Sequence, residues 1–181
     1  MKLWNSASVV GLIGVSVIAL GACEEAKVEG AIFDNLQQCI DDRAIPSNQC
    51  EQSFNEARSQ HASVAPKYTS EQDCQADFGA EKCEKAPYRS STGGSIFMPM
   101  MAGYMMGSLL GGRRSSVFSQ PLYRSASDPK TYRTADNRSA GSATGRTQIA
   151  RSATSRPSVK SSTIRRGGFG ASARRFGSSA T

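Results

Sequence analysis

Ile96 to Leu110, IFMPMMAGYMMGSLL, carries no charge at all, and its conformation decides what the rest of the chain folds around. Gly93-Gly94-Ser95 is a flexible break before it, and Pro99 stands where a first helical position would place a residue without an N–H donor. Gly103, Gly107 and Gly111 then recur at four-residue steps, the spacing that lines one side of a helix and lets another backbone approach closely. Met98, Met100, Met101, Met105 and Met106 give the other faces an adaptable apolar surface. The reading is a short apolar helix within residues 93–112. Spanning a bilayer takes about 20 residues, so this stretch is too short to cross one comfortably. Two roles stay open for it. It either covers a neighbouring module as core, or presents Met98, Met100, Met101, Gly103, Tyr104, Met105, Met106, Gly107 and Gly111 to a membrane surface or partner.

The module upstream is acidic and small. Residues 24–87 hold 13 Asp and Glu against 6 Lys and Arg. A piece of this size has a marginal hydrophobic core and commonly needs covalent staples. Cys39, Cys50, Cys74 and Cys83 can supply them. Of the three pairings four cysteines permit, an internal repeat singles out one. Phe33 to Cys39 and Tyr68 to Cys74 each run from an aromatic through capping-type residues to a cysteine six positions on, and each is followed by a second cysteine. The expected bridges are Cys39 to Cys50 and Cys74 to Cys83. Zinc ligands usually come in pairs two to four residues apart, whereas the gaps here are 10, 23 and 8 residues, so no metal is expected. Asp34, Ser47 and Thr69 or Ser70 are placed to cap helices ending near Cys39, His61 and Gly79, with Val28 to Phe33 and Ala65 to Tyr68 as short extended entries. The expected class is therefore a small, mainly α, disulfide-braced module over 31–87, joined to the apolar Gly/Met helix.

The amino terminus has the order of an export signal. Lys2 is followed by an apolar run from Val9 to Ala22, and Leu20-Gly21-Ala22-Cys23 closes it. The tripeptide before Cys23 matches the small-residue positions of a bacterial lipobox. The expectation is a lipoprotein signal over 1–22, a lipidated linker over 23–30, and anchoring to membrane lipid through acylated Cys23, since two acyl chains suffice for stable attachment. Glu24 at the second mature position, rather than Asp, directs the expectation to the outer membrane, facing the periplasm.

Downstream the charge reverses. From Arg113 to Thr181 there are 14 basic residues against Asp128 and Asp136 only, in a background of Ser, Ala, Gly and Arg. Few large apolar residues remain to offset the entropy of ordering, so residues 113–181 are expected to be a long disordered basic tail. Arg165-Arg166-Gly167-Gly168-Phe169-Gly170 and Arg174-Arg175-Phe176-Gly177 repeat a basic pair, glycine and an aromatic. In a cytosolic protein that would suggest nucleic acid. After an export signal the expected contacts of Arg165, Arg166, Arg174 and Arg175 are instead envelope polyanions, with a docking peptide anchored on Phe169 and Phe176 as the alternative.

No catalytic constellation accompanies these features. His61 is the sole histidine and lacks a Ser or Cys nucleophile signature, Asp41-Asp42 reads as solvated charge, and no glycine loop follows a strand to cradle phosphate. No cofactor and no catalytic residue are expected. A ligand-binding or enzymatic use of the disulfide module remains the alternative.

Cys23 with its lipobox, the two aromatic-to-cysteine units, Ala65-Pro66-Lys67-Tyr68, Met98 to Gly107, Gln120-Pro121-Leu122 and Arg166 to Gly170 together resemble the YgiB-like bacterial lipoproteins. The likeness runs in order along nearly the whole chain and is only compositional between Arg124 and Ser162. It implies an envelope lipoprotein with a domain of unknown function and brings no catalytic residues. The expectation from both lines is a non-enzymatic envelope protein that holds a partner or surface in place.

Overall fold

A computed structural model describes residues 25–107, 118–160 and Phe169. Eight strands and three α-helices appear in the order β1 (Lys27–Phe33), α1 (Leu36–Asp41), α2 (Ser47–Val64), α3 (Glu71–Phe78), β2 (Cys83–Arg89), β3 (Ser95–Pro99), β4 (Gly103–Gly107), β5 (Ser119–Ser125), β6 (Asp128–Thr134), β7 (Ser139–Gly141) and β8 (Gly145–Ala150). A 3-10 turn, Arg151–Thr154, follows β8. Six strands form one antiparallel, nearly closed sheet in the order β7-β6-β5-β4-β1-β8, while β2 and β3 make a separate hairpin.

The mainly α expectation is therefore corrected: the fold is mainly β. The apolar stretch around Gly103 is two strands and a connection rather than a helix. Tyr104 and Met106 face Ala31, Phe33 and the Cys39–Cys50 region, whereas Met105 faces Ile32, Leu122 and Ile149 on the other side. Alternation with period two, with both faces buried, produces an unbroken apolar run that helical spacing can mimic. Gly103 belongs to this arrangement because a Cβ there would lie 2.6 Å from the Phe33 carbonyl oxygen. The close approach expected of that glycine is real, but its partner is strand β1.

The disordered-tail expectation is corrected likewise for the described residues 118–160. They supply β5 to β8, and β8 pairs with β1 from Lys27↔Ala150 to Ile32↔Gly145. Strand β1 thus lies between β4 and the edge strand β8. The composition of this segment understates its burial, because Ser119 and Gln120 are fully buried beside Leu122, Tyr123, Tyr132 and Ile149. Most of their polar atoms are used: Ser119 Oγ donates to the Ser53 and Met105 carbonyls and Gln120 Nε2 donates to the Ala153 carbonyl in the 3-10 turn, while Gln120 Oε1 is buried without a partner among the described residues. Buried hydrogen-bonded polar groups avoid the desolvation loss that composition alone would assign them.

Local signals in the acidic segment hold more closely. Helix α3 is capped by Ser70, whose Oγ accepts the Asp73 N–H, and ends at Gly79 with φ +104°. Helix α2 does not use Ser47 as its cap, since Ser47 is its first residue and Pro46 holds the cap position without a side-chain bond, but it buries Cys50, Ser53, Ala57, His61 and Val64 in a three- and four-residue progression. In α1 the capping side chain is Asn35, which accepts the Gln38 N–H at 2.9 Å, one residue beyond the expected Asp34. The structure bridges Cys39 to Cys50 and Cys74 to Cys83, with Cα separations of 5.8 and 6.2 Å. These are the pairs indicated by the repeat. The first joins α1 to α2 with Cys39 Sγ 3.8 Å from Met106 Sδ, and the second joins α3 to β2.

Candidate functional site

The end of β1 remote from Lys27 opens into a cleft of about 500 Å³. Asp34 follows β1 directly, Phe78 ends α3 and Lys82 lies in the turn before β2. Met100, Met101 and Ala102 form the β3–β4 connection, and Arg124, Ser125, Ala126 and Pro129 come from the β5–β6 hairpin. Backbone bonds tie these walls together: Met100 N–H donates to Lys82 O, Ala102 N–H to Leu122 O and Ala126 N–H to Asp77 O, each at 2.8 Å. The cleft is therefore built on sheet and helix ends held by main-chain bonds.

Its polar groups form a connected set. Tyr132 donates its hydroxyl to Asp34 Oδ1, and the Arg124 guanidinium stacks on the Tyr132 ring at 4.0 Å. Arg124 reaches Asp34 only at 3.5 Å, and its Nε is buried without an acceptor among the described residues. Burial, followed by the bond to Asp34, pushes the Tyr132 phenol up to about 12. It stays a neutral donor at physiological pH. Lys82 is exposed and has no carboxylate partner among the described residues. The cleft wall thus holds two cations against one carboxylate that already accepts a hydroxyl. Apart from Ser125 the remaining lining is apolar: Phe78, Met100, Met101, Ala102, Ala126 and Pro129.

Of the contact residues expected from the sequence, only Met100 and Met101 line this cleft. Met100 is 41% exposed, whereas Met98, Tyr104, Met105 and Met106 are each buried in the core. Gly103 faces β1 and Gly107 ends β4, so neither forms a free glycine stripe. Gly111, Cys23, Arg165, Arg166, Arg174 and Arg175 lie outside the described residues. Phe169, expected as a basic-tail aromatic or partner anchor, is 1% exposed inside this chain's own aromatic cluster, 4.8 Å from the Phe78 ring and 6.3 Å from Tyr123.

His61 is more buried than a helix-surface residue and uses both ring nitrogens. Nε2 lies 3.0 Å from Glu84 Oε1 and Nδ1 lies 3.0 Å from the Tyr123 hydroxyl. Burial lowers its pKa, with Glu84 pulling the other way. The neutral ring donates from Nε2 to the carboxylate and accepts from Tyr123, whose own ionisation burial pushes far up. With both nitrogens engaged, this is a structural lock between α2, β2 and β5.

Sequence reading missed Asp34 as a cleft residue, and it missed Phe78, Lys82, Arg124 and Tyr132 altogether. A signal was available in Lys130-Thr131-Tyr132-Arg133-Thr134, where β-branched and aromatic residues cluster as strand formers.

Comparison with known proteins finds relatives that match nearly the whole chain. A UPF0441 protein of Erwinia tasmaniensis is 37% identical over 188 aligned residues, covering 94% of this chain and 84% of the relative. UPF0441 proteins of Serratia proteamaculans and Photorhabdus laumondii are 35% and 32% identical, covering 94% and 93% of this chain and 84% and 83% of theirs. No solved structure matches. The profile of the family described as "Protein of unknown function (DUF1190)" matches residues 27–179, which runs from the first residue of β1 to beyond Phe169. The chain belongs to this family of unknown function, the same family that the YgiB-like resemblance indicated.

Proposed function

We propose that this chain is a lipid-anchored protein of the bacterial envelope that holds a partner at the membrane surface and performs no chemistry on it. The observation that carries the reading is Leu20-Gly21-Ala22-Cys23 at the close of an apolar signal run. The cysteine pairing supports it: four of the five cysteines are consumed in two bridges, which suits an oxidising compartment and leaves Cys23 over for acylation. Among the described residues no helix is long and apolar enough to cross a membrane. Anchoring in this reading therefore rests on lipid. Cys23 precedes Lys27 by four residues, a reach of roughly 14 Å at full extension, so β1 would start close to the head groups. The cleft at the other end of β1 is then the contact surface turned away from the membrane. The four arginines in 161–181, which face no acidic residue in that segment, add a salt-sensitive contact to envelope polyanions.

The test is metabolic labelling with a fatty acid. The native chain should incorporate label and fractionate with membranes, whereas Cys23→Ser should lose the label and accumulate as precursor. A Cys23→Ser chain that is processed normally and stays in the membrane fraction would overturn the reading. The ligand-binding alternative is favoured by one observation, the partly open cleft of about 500 Å³, and is compatible with the anchor.

A further inference from the structure

We propose that the cleft between β1, α3 and the β5–β6 hairpin is a binding site for a single-chain amphipathic anion, a carboxylate or phosphate head on a hydrocarbon body. The inference rests on the reading of the cleft as the contact surface and names what it takes. Its volume of about 500 Å³ falls within the range of roughly 300–1,000 Å³ typical of small-ligand sites. Phe78, Met100, Met101 and Pro129 offer a hydrocarbon an apolar wall, and methionine adapts to chains of different shape.

Charge sets the head group. Among the described residues Asp34 is the one carboxylate lining the cleft, and its Oδ1 already accepts the Tyr132 hydroxyl. Arg124 is held flat on the Tyr132 ring with its Asp34 contact at the long limit of 3.5 Å, so its guanidinium is oriented in advance and only weakly neutralised. Lys82 adds a second, exposed cation. A planar, positioned guanidinium beside a flexible ammonium suits an oxyanion, and opposes a cationic head.

Position sets the body. Strand β1 has seven residues and at about 3.3 Å per residue places the cleft more than 20 Å from the end nearest Cys23. With β1 directed away from the head groups, as the anchored reading has it, a ligand reaching the cleft leaves the bilayer. That favours one acyl or alkyl chain, which has appreciable monomer solubility, over a two-chain lipid.

The test uses residues 24–181 with both bridges formed, since every described element lies within them. Dodecanoate, dodecyl phosphate and dodecyltrimethylammonium are offered separately in equilibrium dialysis below their micelle concentrations. Saturable binding is expected for at least one of the two anions, at least ten-fold tighter than for the cation, and the stronger anion identifies the head. Lys82→Gln and Arg124→Gln should each weaken anion binding several-fold, and together by about ten-fold or more. Lys82 is exposed, so its variant tests the idea even where Arg124→Gln loosens the stack on Tyr132. Equal binding of the cation, an unchanged affinity in Lys82→Gln and the double variant, or no saturable binding would overturn the proposal. The assay needs no acyl anchor, so its failure is separate from failure of the Cys23 labelling. A protein crosslinked to position 100 in cells without any anion binding would overturn the ligand class and leave the contact reading standing.

Discussion

Gly103→Ala separates the strand from the helix in the stretch that decides the fold. On a helix, exchanging glycine for alanine stabilises by about 0.8–1 kcal/mol, because alanine loses less backbone entropy. In the sheet the new methyl would lie 2.6 Å from the Phe33 carbonyl oxygen, 3.3 Å from its carbon and 3.3 Å from Tyr132 Cε1. Ordinary contact begins near 3.4 Å, so β1 and β4 would have to separate by several tenths of an ångström. The obstructing atom is backbone at the end of β1, where Phe33 is paired with Tyr104 of β4 one residue beyond the last β8 pair, and it cannot rotate away. Overpacking of this kind costs about 1–3 kcal/mol, and an immovable neighbour places Gly103→Ala at the upper end. For a domain of this size the loss corresponds to roughly 5–10 °C in Tm. Gly107 is the internal control, because its nearest neighbour would be the Phe118 carbonyl oxygen at 3.5 Å. Gly107→Ala should change stability by under about 0.5 kcal/mol. Urea unfolding of both variants without reductant, compared at constant m, reads the difference. A Gly103→Ala protein as stable as the parent or more so, or a Gly107→Ala loss of the same size, would refute the reasoning.

Other consequences follow from the same packing. Burial lowers the pKa of His61, so the unfolded chain binds the proton more readily than the fold does. Stability should be level above about pH 6.5 and fall as pH drops through that value. His61→Gln should remove that dependence between pH 7.5 and 5.5, and a native urea midpoint that rises on acidification would contradict it. Asp128 and Asp136, whose folded-state pKa values are lowered, contribute their own loss only at more acidic pH. Phe169→Ala removes a fully buried ring from the Phe78–Tyr123 cluster and should cost about 3 kcal/mol, read by thermal unfolding; no loss would mean that this ring is not seated there. Peptide mapping without reductant should recover Cys39 with Cys50 and Cys74 with Cys83, and breaking either loop should cost about 2.7 kcal/mol in the chain-entropy estimate. A Cys39–Cys74 peptide would disprove the arrangement.

The sequence by itself determined what depends on neighbouring residues. Ser70 and Gly79 bound α3 because cap and stop act within a few positions of the chain, and the buried face of α2 is a three- and four-residue repeat. The two bridges were legible because each closes a short loop within one copy of a repeated unit. What required the tertiary structure was everything made by pairing distant strands. IFMPMMAGYMMGSLL is apolar at both helical and strand spacing, and only the presence of β1 on one side and β5 on the other selects strand β4. Residues 118–160 look too polar to fold when counted alone, yet β8 finds in Lys27 to Ile32 a strand more than a hundred positions earlier that needs its other edge filled. The cleft shares that origin, because Asp34, Lys82, Met101 and Arg124 meet only after the strands have paired. A strand satisfies half of its hydrogen bonds with each neighbour, so its identity is a property of the neighbours, which no local window of sequence contains.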